Sequence, residues 1–227
     1  MYHLPMRLIQ NLLKFFFSML YHQFAWTYDF VSALVSLGRW QDWVQAALPY
    51  LHGRVLEIGF GPGHLQISMN QGGIPAFGLD ESQQMTIQAS RRLRRIKINT
   101  RLSRGYAQRL PFTNDTFDCV AATFPSEYIY EMQSLQEINR VLVPEGHLVI
   151  LPMAWITGTS LPDRLAAWIF RLSGEAPGKP KPISPALKHL FEQARFDIRN
   201  EIIEIRASKV LVIIAIKRYV PGSKNRT

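Results

Sequence analysis

The chain of 227 residues has one cysteine, Cys119, so no internal disulfide can form. Cys119 lies in an apolar run, where the expected role is that of a small buried hydrophobe. So little cysteine fits a reducing, cytoplasmic setting. No set of Cys and His residues has the close spacing of zinc ligands, so no metal site is expected. Long apolar runs are missing too: Asn11, Lys14, His22, Gln23 and Asp29 interrupt every window of the roughly 20 residues that a membrane-spanning helix needs. A cleaved signal is not expected, because no clear small-residue cleavage site follows the weakly basic start. Acids are scarce, 17 Asp and Glu against 26 Lys and Arg, which leaves a net charge of +9. Nearly all of that excess sits in one acid-free stretch containing Arg91, Arg92, Arg94, Arg95, Lys97, Arg101, Arg104 and Arg109. Three readings of the stretch compete: a solvated helix end favoured by the helix dipole, contact with an anionic membrane, and nucleic-acid binding. The last ranks lowest because no RNA-binding module accompanies it.

What is present points to one core, since 47% of the residues are hydrophobic. The chain is organised around Val55-Leu56-Glu57-Ile58-Gly59-Phe60-Gly61-Pro62-Gly63. An apolar run ends in an acid, three glycines follow at alternate positions, and the helix-compatible His64-Leu65-Gln66-Ile67-Ser68-Met69 comes next. A buried strand therefore turns sharply into a helix. Glycine permits the positive φ of such a turn and close approach of a ligand to the backbone, and the helix start offers unpaired N–H groups. Ile74-Pro75-Ala76-Phe77-Gly78-Leu79 reads as a second strand. Asp80 closes it about 20 residues after the glycines, where dinucleotide folds place the acid that grips ribose hydroxyls.

Further motifs follow in order: Gly78-Leu79-Asp80-Glu81-Ser82, Ala107-Gln108-Arg109-Leu110-Pro111-Phe112, Thr116-Phe117-Asp118-Cys119-Val120, and Glu137-Ile138-Asn139-Arg140-Val141-Leu142-Val143-Pro144-Glu145-Gly146. Together they resemble the ordered motifs of class I S-adenosylmethionine-dependent methyltransferases, in the methyltransferase type 11 group that includes quinone-biosynthesis C-methyltransferases. The resemblance covers roughly residues 53 to 151. It implies an α/β, Rossmann-like fold: a central, mostly parallel seven-stranded sheet with an antiparallel C-terminal strand, helices on both faces and extra N-terminal helices. The alternating pattern places strands near 54–58, 75–79, 98–103, 117–122, 147–151, 198–205 and 209–217, and helices near 64–71, 82–94, 131–141 and 187–194.

The implied cofactor is S-adenosyl-L-methionine, held by Glu57, Gly59, Phe60, Gly61, Gly63, Asp80, Glu81, Ala107, Gln108 and Thr123. Asp80 can accept both ribose hydroxyl protons, and its structural alternative is a cap for the helix beginning at Ser82. Glu57 lies in a buried run, where an unpaired charge is costly. The backbone of the glycine turn or the ammonium group of the ligand is expected to satisfy it. His64 is expected to serve as a cap or pocket wall. In the family an acid usually precedes the Ala-x-x-Leu-Pro-Phe segment and contacts adenine, but here Gly105 and Tyr106 stand there; Ala107 backbone and Gln108 are the substitutes considered. On the loop after the fourth strand, Glu127 and Tyr128 are the catalytic candidates, and Phe124, Tyr128 and Tyr130 either wall an acceptor pocket or pack beneath a helix entry with Ser126 as cap.

Residues 1–52 read as N-terminal amphipathic and cap helices. Leu8, Ile9, Leu12, Leu13, Phe15, Phe16, Met19 and Leu20 form one apolar face. Either this helix covers the substrate pocket, or Phe15, Phe16, Phe17, Trp26 and Tyr28 enter a bilayer surface while Arg7 and Lys14 meet its headgroups. Residues 28–51 follow as helix with a break at Gly38. Residues 53–220 form the cofactor-binding domain, with 152–185 as a lid or linker insertion containing a helix at 161–172, and 221–227 as a frayed tail. The function expected is methyl transfer to a small, hydrophobic or lipid-like acceptor, with peripheral contact to an anionic membrane through 7–30 and 91–109. The alternatives are an RNA methyltransferase using 91–109 and a non-catalytic S-adenosylmethionine-binding partner subunit.

Overall fold

The computed structural model describes residues 38–99, 101–161, 163 and 183–218. The amphipathic helix from Leu8 to Leu20, the aromatic segment 24–30, most of the helix expected at 161–172 and the tail from 221 lie outside the described residues.

Seven strands form one sheet in the order β3-β2-β1-β4-β5-β7-β6. Their bounds are β1 Val55–Ile58, β2 Ala76–Asp80, β3 Leu102–Arg104, β4 Phe117–Thr123, β5 Leu142–Ile156, β6 Phe196–Ile205 and β7 Ser208–Lys217. Strands β1 to β5 pair in parallel, and β7 runs antiparallel to both β5 and β6. Among the described residues the α-helices are α1 Trp40–Gln45, α2 His64–Gln71, α3 Gln83–Arg95, α4 Met132–Val141 and α5 Pro185–Gln193.

Alternation along the strands explains the two-sided burial, since successive side chains point to opposite faces. Leu56, Ile58, Val120, Leu148 and Ile150 pack in one core with Leu135 and Ile138 of α4 and Phe191 of α5. Val55, Cys119, Ala121, Val149 and Leu151 pack in the other with Trp43 and Val44 of α1 and Leu65 and Met69 of α2. Both faces of the sheet are covered, and the ligand-binding edge is left to the carboxyl ends of the strands.

Three boundaries differ from expectation, each for a local reason. The strand expected at 98–103 begins only at Leu102, because the chain is still turning out of α3: Lys97 has φ +59°, and the Lys97 and Ile98 amides donate to Arg94 and Leu93 carbonyls. The strand expected at 147–151 spans Leu142–Ile156, because β7 carries the pairing on from His147 opposite Ile216 to Ile156 opposite Ser208. Residues 152–156 are therefore strand, not the start of an insertion, and α5 opens at Pro185 under Ser184, whose Oγ accepts from the Leu187 amide at 3.2 Å. Gly38 has φ +76° just before α1, and the helical stretch expected on its other side lies outside the described residues.

Candidate active site

The turn between β1 and α2 is built from positive-φ glycines: Gly59 at +72°, Gly61 at +51° and Gly63 at +86°. L residues with side chains rarely adopt this conformation. The Gly59 amide donates to the Leu79 carbonyl at 2.7 Å, which ties the start of the turn to β2. A methyl group at Gly59 would lie 2.4 Å from the Tyr128 hydroxyl, whereas at Gly61 nothing among the described residues stands within 4 Å. Gly61 thus faces open space at the carboxyl edge of the sheet, and Tyr128 covers Gly59, its hydroxyl donating to the Ile58 carbonyl at 3.4 Å.

Asp80, at the end of β2, holds this turn against the next helix. Its Oδ2 accepts from the Gly61 amide at 2.8 Å and its Oδ1 from the Ser82 amide at 2.8 Å. The cap of α3 is Ser82 itself, whose Oγ accepts from the Met85 amide at 3.3 Å, so Asp80 positions the cap without being one. Burial pushes the Asp80 carboxyl above its usual range, against the two backbone hydrogen bonds that favour its charge. Arg92 of α3 adds a second tie, donating to the Pro62 carbonyl at 3.0 Å.

Glu57 is 1% exposed, and burial raises its carboxyl to about 8, with Asp80 adding to the rise. Its partner is not the backbone of the glycine turn, as expected, but Gln66 of α2, whose Nε2 donates to Glu57 Oε2 at 2.8 Å and lies 3.1 Å from the Phe77 carbonyl. The glycine amides are engaged elsewhere: Gly59 donates to the Leu79 carbonyl, Gly61 to Asp80 and Gly63 to the Phe60 carbonyl. Gln66 escaped the sequence reading; the signal was a polar residue on the otherwise apolar inner face of α2, where it is 1% exposed.

The other expected residues divide. Gly63 is the N-cap of α2, so His64 takes the first helical position and not the cap; it lines a cavity between α1 and α2 with Gln41, Val44, Gln45, Ile67, Ser68 and Gln71, a cavity that includes none of the expected cofactor residues. The Phe60 side chain is buried against Gly78, which leaves its backbone to meet a ligand. Thr123 is half-buried at the end of β4. Glu81 is exposed and its carbonyl accepts from Arg104 at 2.9 Å. Ala107 is buried, but Gln108 turns toward the start of α4 and donates to Glu131 Oε2 at 2.8 Å, so its amide is already engaged, while Tyr106 is 59% exposed. Glu127 is exposed at the start of a 3-10 turn, Glu127–Tyr130, whose cap position is Ser126 with no side-chain bond. Phe124, at φ +49°, stacks on Trp40 with ring centroids 4.5 Å apart, and Tyr130 packs against the core, where burial raises its hydroxyl to about 12.

The donor set suits S-adenosylmethionine. Gly61 leaves an open cradle, each Asp80 oxygen retains a second lone-pair direction for a ribose hydroxyl, and Glu57 can meet an ammonium group once ionised.

Comparison with known proteins agrees. Residues 55–146 match the family model described as a methyltransferase domain. The chain is 34% identical over 145 residues to the ubiquinone/menaquinone biosynthesis C-methyltransferase UbiE of Blochmanniella floridana, covering 59% of this chain and 57% of the relative. It is 32% identical over 155 residues to a demethylmenaquinone methyltransferase of Lactiplantibacillus plantarum, covering 64% and 63%. The chain thus spans about three fifths of the length of these curated relatives. In fold it is similar to the YcgJ protein of Bacillus subtilis, with a TM-score of 0.55, 16% identity and coverage of 82% and 99%. It is similar also to phosphoethanolamine N-methyltransferase 2 of Haemonchus contortus in complex with S-adenosyl-L-methionine, with a TM-score of 0.56, 16% identity and coverage of 80% and 53%. Sequence motifs, sheet order and site geometry converge: residues 55–146 match a methyltransferase domain, the fold is similar to that of S-adenosylmethionine-dependent methyltransferases, and in sequence the chain is similar to the quinone-biosynthesis C-methyltransferases.

Proposed function

We propose that the chain transfers a methyl group from S-adenosylmethionine to an apolar acceptor, a quinone-like lipid or related aromatic metabolite. The observation that carries the proposal is Asp80 at the end of β2, bonded at once to Gly61 of the glycine turn and to Ser82 of the next helix. The quinone-methylating relatives support the acceptor class.

The cofactor supplies a methyl group already activated by its sulfonium, so the protein's task is to hold the acceptor in line and keep water out. Asp80 orients the ribose, and Glu57, steadied by Gln66, meets the amino-acid end. Tyr128 shields Gly59 and presents an aromatic ring with a polar edge beside the open side of the turn, a surface suited to a flat, greasy molecule. Glu127, exposed to solvent, orients an acceptor and is not the required base. A cytoplasmic chain touching an anionic membrane through residues 7–30 and 91–109 belongs to the same proposal. Among the described residues no helix is long and apolar enough to cross a membrane.

The test is incubation with methyl-labelled cofactor and separated lipid, RNA, protein and small-molecule extracts, alongside calorimetry with S-adenosylhomocysteine. Label in the lipid or aromatic fraction is the expected result. Cofactor binding with label only in RNA, or in none of the fractions, would overturn the acceptor class.

A further inference from the structure

At the end of the sheet away from the glycine turn, three residues far apart in sequence converge. Cys119 in β4 is the register partner of His147 in β5, and His52 arrives on the loop before β1. Cys119 Sγ lies 3.6 Å from His52 Nδ1 and 3.4 Å from His147 Nε2, and all three ligand atoms fall within 4.8 Å of one another. The Tyr50 carbonyl stands beside them, 2.8 Å from His147 Nε2 and 3.9 Å from Cys119 Sγ. Cys119 is fully buried, His147 is half-buried and His52 is exposed, so the group opens to solvent on one side only.

We propose that His52, Cys119 and His147 bind a zinc-type divalent cation, with the Tyr50 carbonyl or a water in the fourth position. Tetrahedral zinc with a metal–sulfur bond of about 2.3 Å and metal–nitrogen bonds of about 2.0 to 2.1 Å separates sulfur from nitrogen by about 3.6 Å. The sulfur–nitrogen distances of 3.6 and 3.4 Å lie close to this, while the two imidazole nitrogens, within 4.8 Å of each other, have to stand about 3.3 Å apart, so His52 must shift on binding. One thiol and two imidazoles select zinc-like cations over magnesium or calcium, which take oxygen donors. Charge balances with two proton movements: the Cys119 thiol releases its proton to solvent, and His147, whose Nε2–H donates to the Tyr50 carbonyl at 2.8 Å in the metal-free protein, gives up that bond and carries its proton on Nδ1 so that Nε2 can bind; a divalent cation with one thiolate then leaves a local charge of +1.

The backbone around the site is held in advance. Gly53, with φ +61°, brings the loop so close to Asp118 that an added methyl would meet Asp118 Oδ2 at 2.3 Å, and that same oxygen accepts from the Arg54 amide at 2.7 Å. His52 is thereby fixed next to β4, and its exposed ring needs only to turn inward to close the set. The cluster lies four residues along β4 from Thr123, roughly 13 Å at strand spacing. A cation there would clasp the segment preceding β1 to two central strands without entering the cofactor cradle. The proposal stands independently of the methyl acceptor.

The test uses the full chain, reduced, stripped with a chelator and desalted, then titrated with cobalt(II) and afterwards with zinc. One cobalt per chain is expected, with a thiolate-to-cobalt band in the near ultraviolet and tetrahedral visible bands, all displaced by zinc. Cys119→Ser should abolish the thiolate band, His52→Ala should weaken cobalt binding at least tenfold, and His189→Ala, remote from the cluster, should leave it unchanged. Should Cys119→Ser fail to fold, the band in the unaltered chain and the His52→Ala affinity decide the matter, because His52 is exposed and dispensable for the core. Absence of a thiolate band, or equal cobalt affinity in His52→Ala, would overturn the site. Zinc should also raise the melting temperature of the unaltered chain and not that of His52→Ala; equal shifts in both would likewise overturn it.

Discussion

The carboxyl end of the sheet and the loop entering β4 treat charge in opposite ways. At the entry to β4, Arg140 spends its whole guanidinium: Nε and Nη2 bond Glu137 at 2.7 and 2.8 Å, Nη1 bonds the Phe112 carbonyl and Asn114, and Nη2 also reaches the Leu110 carbonyl. Glu137 in turn accepts from the Leu110 amide at 2.8 Å, and Arg140 holds its carboxyl below the usual range. At the carboxyl end, Glu57 and Asp80 are buried with only neutral donors among the described residues, and both carboxyls rise. The first arrangement is complete without a ligand. The second leaves buried acid whose charge awaits a partner, which is the mark of a binding site more than of a structural one.

The strongest way to break this contrast is Asp80→Ala. It should cost about 1.5 to 3 kcal/mol of affinity for S-adenosylhomocysteine, as expected for hydrogen bonds to a charged group, with a further loss of order in the glycine turn. Calorimetry reads the affinity directly, and an unchanged value would sink the assignment of the cradle.

Arg140→Ala is the mirror experiment. It should lower folding stability by about 2 kcal/mol, since a charged hydrogen-bonded group and its carboxylate lose each other. Cofactor affinity measured on the folded fraction should stay within a factor of two of the parent. A large affinity loss with intact stability would reverse the roles assigned to the two regions.

Glu57 sharpens the contrast through pH. Its folded-state value, about 8, lies above the ordinary 4.5, so the folded protein keeps a proton that the unfolded chain releases. The stabilisation is full below about 4.5 and is lost as pH rises toward 8. Denaturant melts across this window should show the decline, and Glu57→Gln should flatten it. Cofactor binding near pH 7 should release a proton, because an ammonium group favours the ionised carboxylate; calorimetry in buffers of different ionisation enthalpy detects it.

The smallest effect is expected at Glu127. Glu127→Gln should leave cofactor affinity unchanged and alter turnover by less than tenfold, since the carboxylate is exposed to solvent and the sulfonium methyl needs no strong base. Loss of all transfer with both ligands bound would instead make it the general base.

Much of this was legible because the governing physics is local. Alternate glycines after an apolar run demand a turn with positive φ, and Gly59, Gly61 and Gly63 all adopt it. A strand-end acid followed by Ser82 marks a helix start, and both residues do related work there. The misses come from contacts that no short window contains. Gln66 meets Glu57 only because α2 folds back over β1, β5 lengthens because β7 lies beside it, and His52, Cys119 and His147 are 67 and 28 residues apart along the chain. Spacing rules for metal sites see neighbours in sequence, whereas here strand register brings Cys119 beside His147 and the loop before β1 adds His52.

The position of β7 has a consequence for how the molecule is made. Synthesis delivers β5 some fifty residues before β7, the strand that covers its second edge, and β6 reaches the sheet only through β7. During that interval the edge from His147 to Ile156 is unpaired, with Leu148, Val149 and Ile150 beside it, and open apolar edges invite pairing between nascent chains. The tight connection at Arg206 and Ala207 shortens the exposure, because β6 and β7 can zip as a local hairpin and dock together. A premature stop before β7 would therefore do more than remove one strand: it would leave a sticky seam through the centre of the sheet, and the shortened product should accumulate as aggregate instead of a smaller soluble domain.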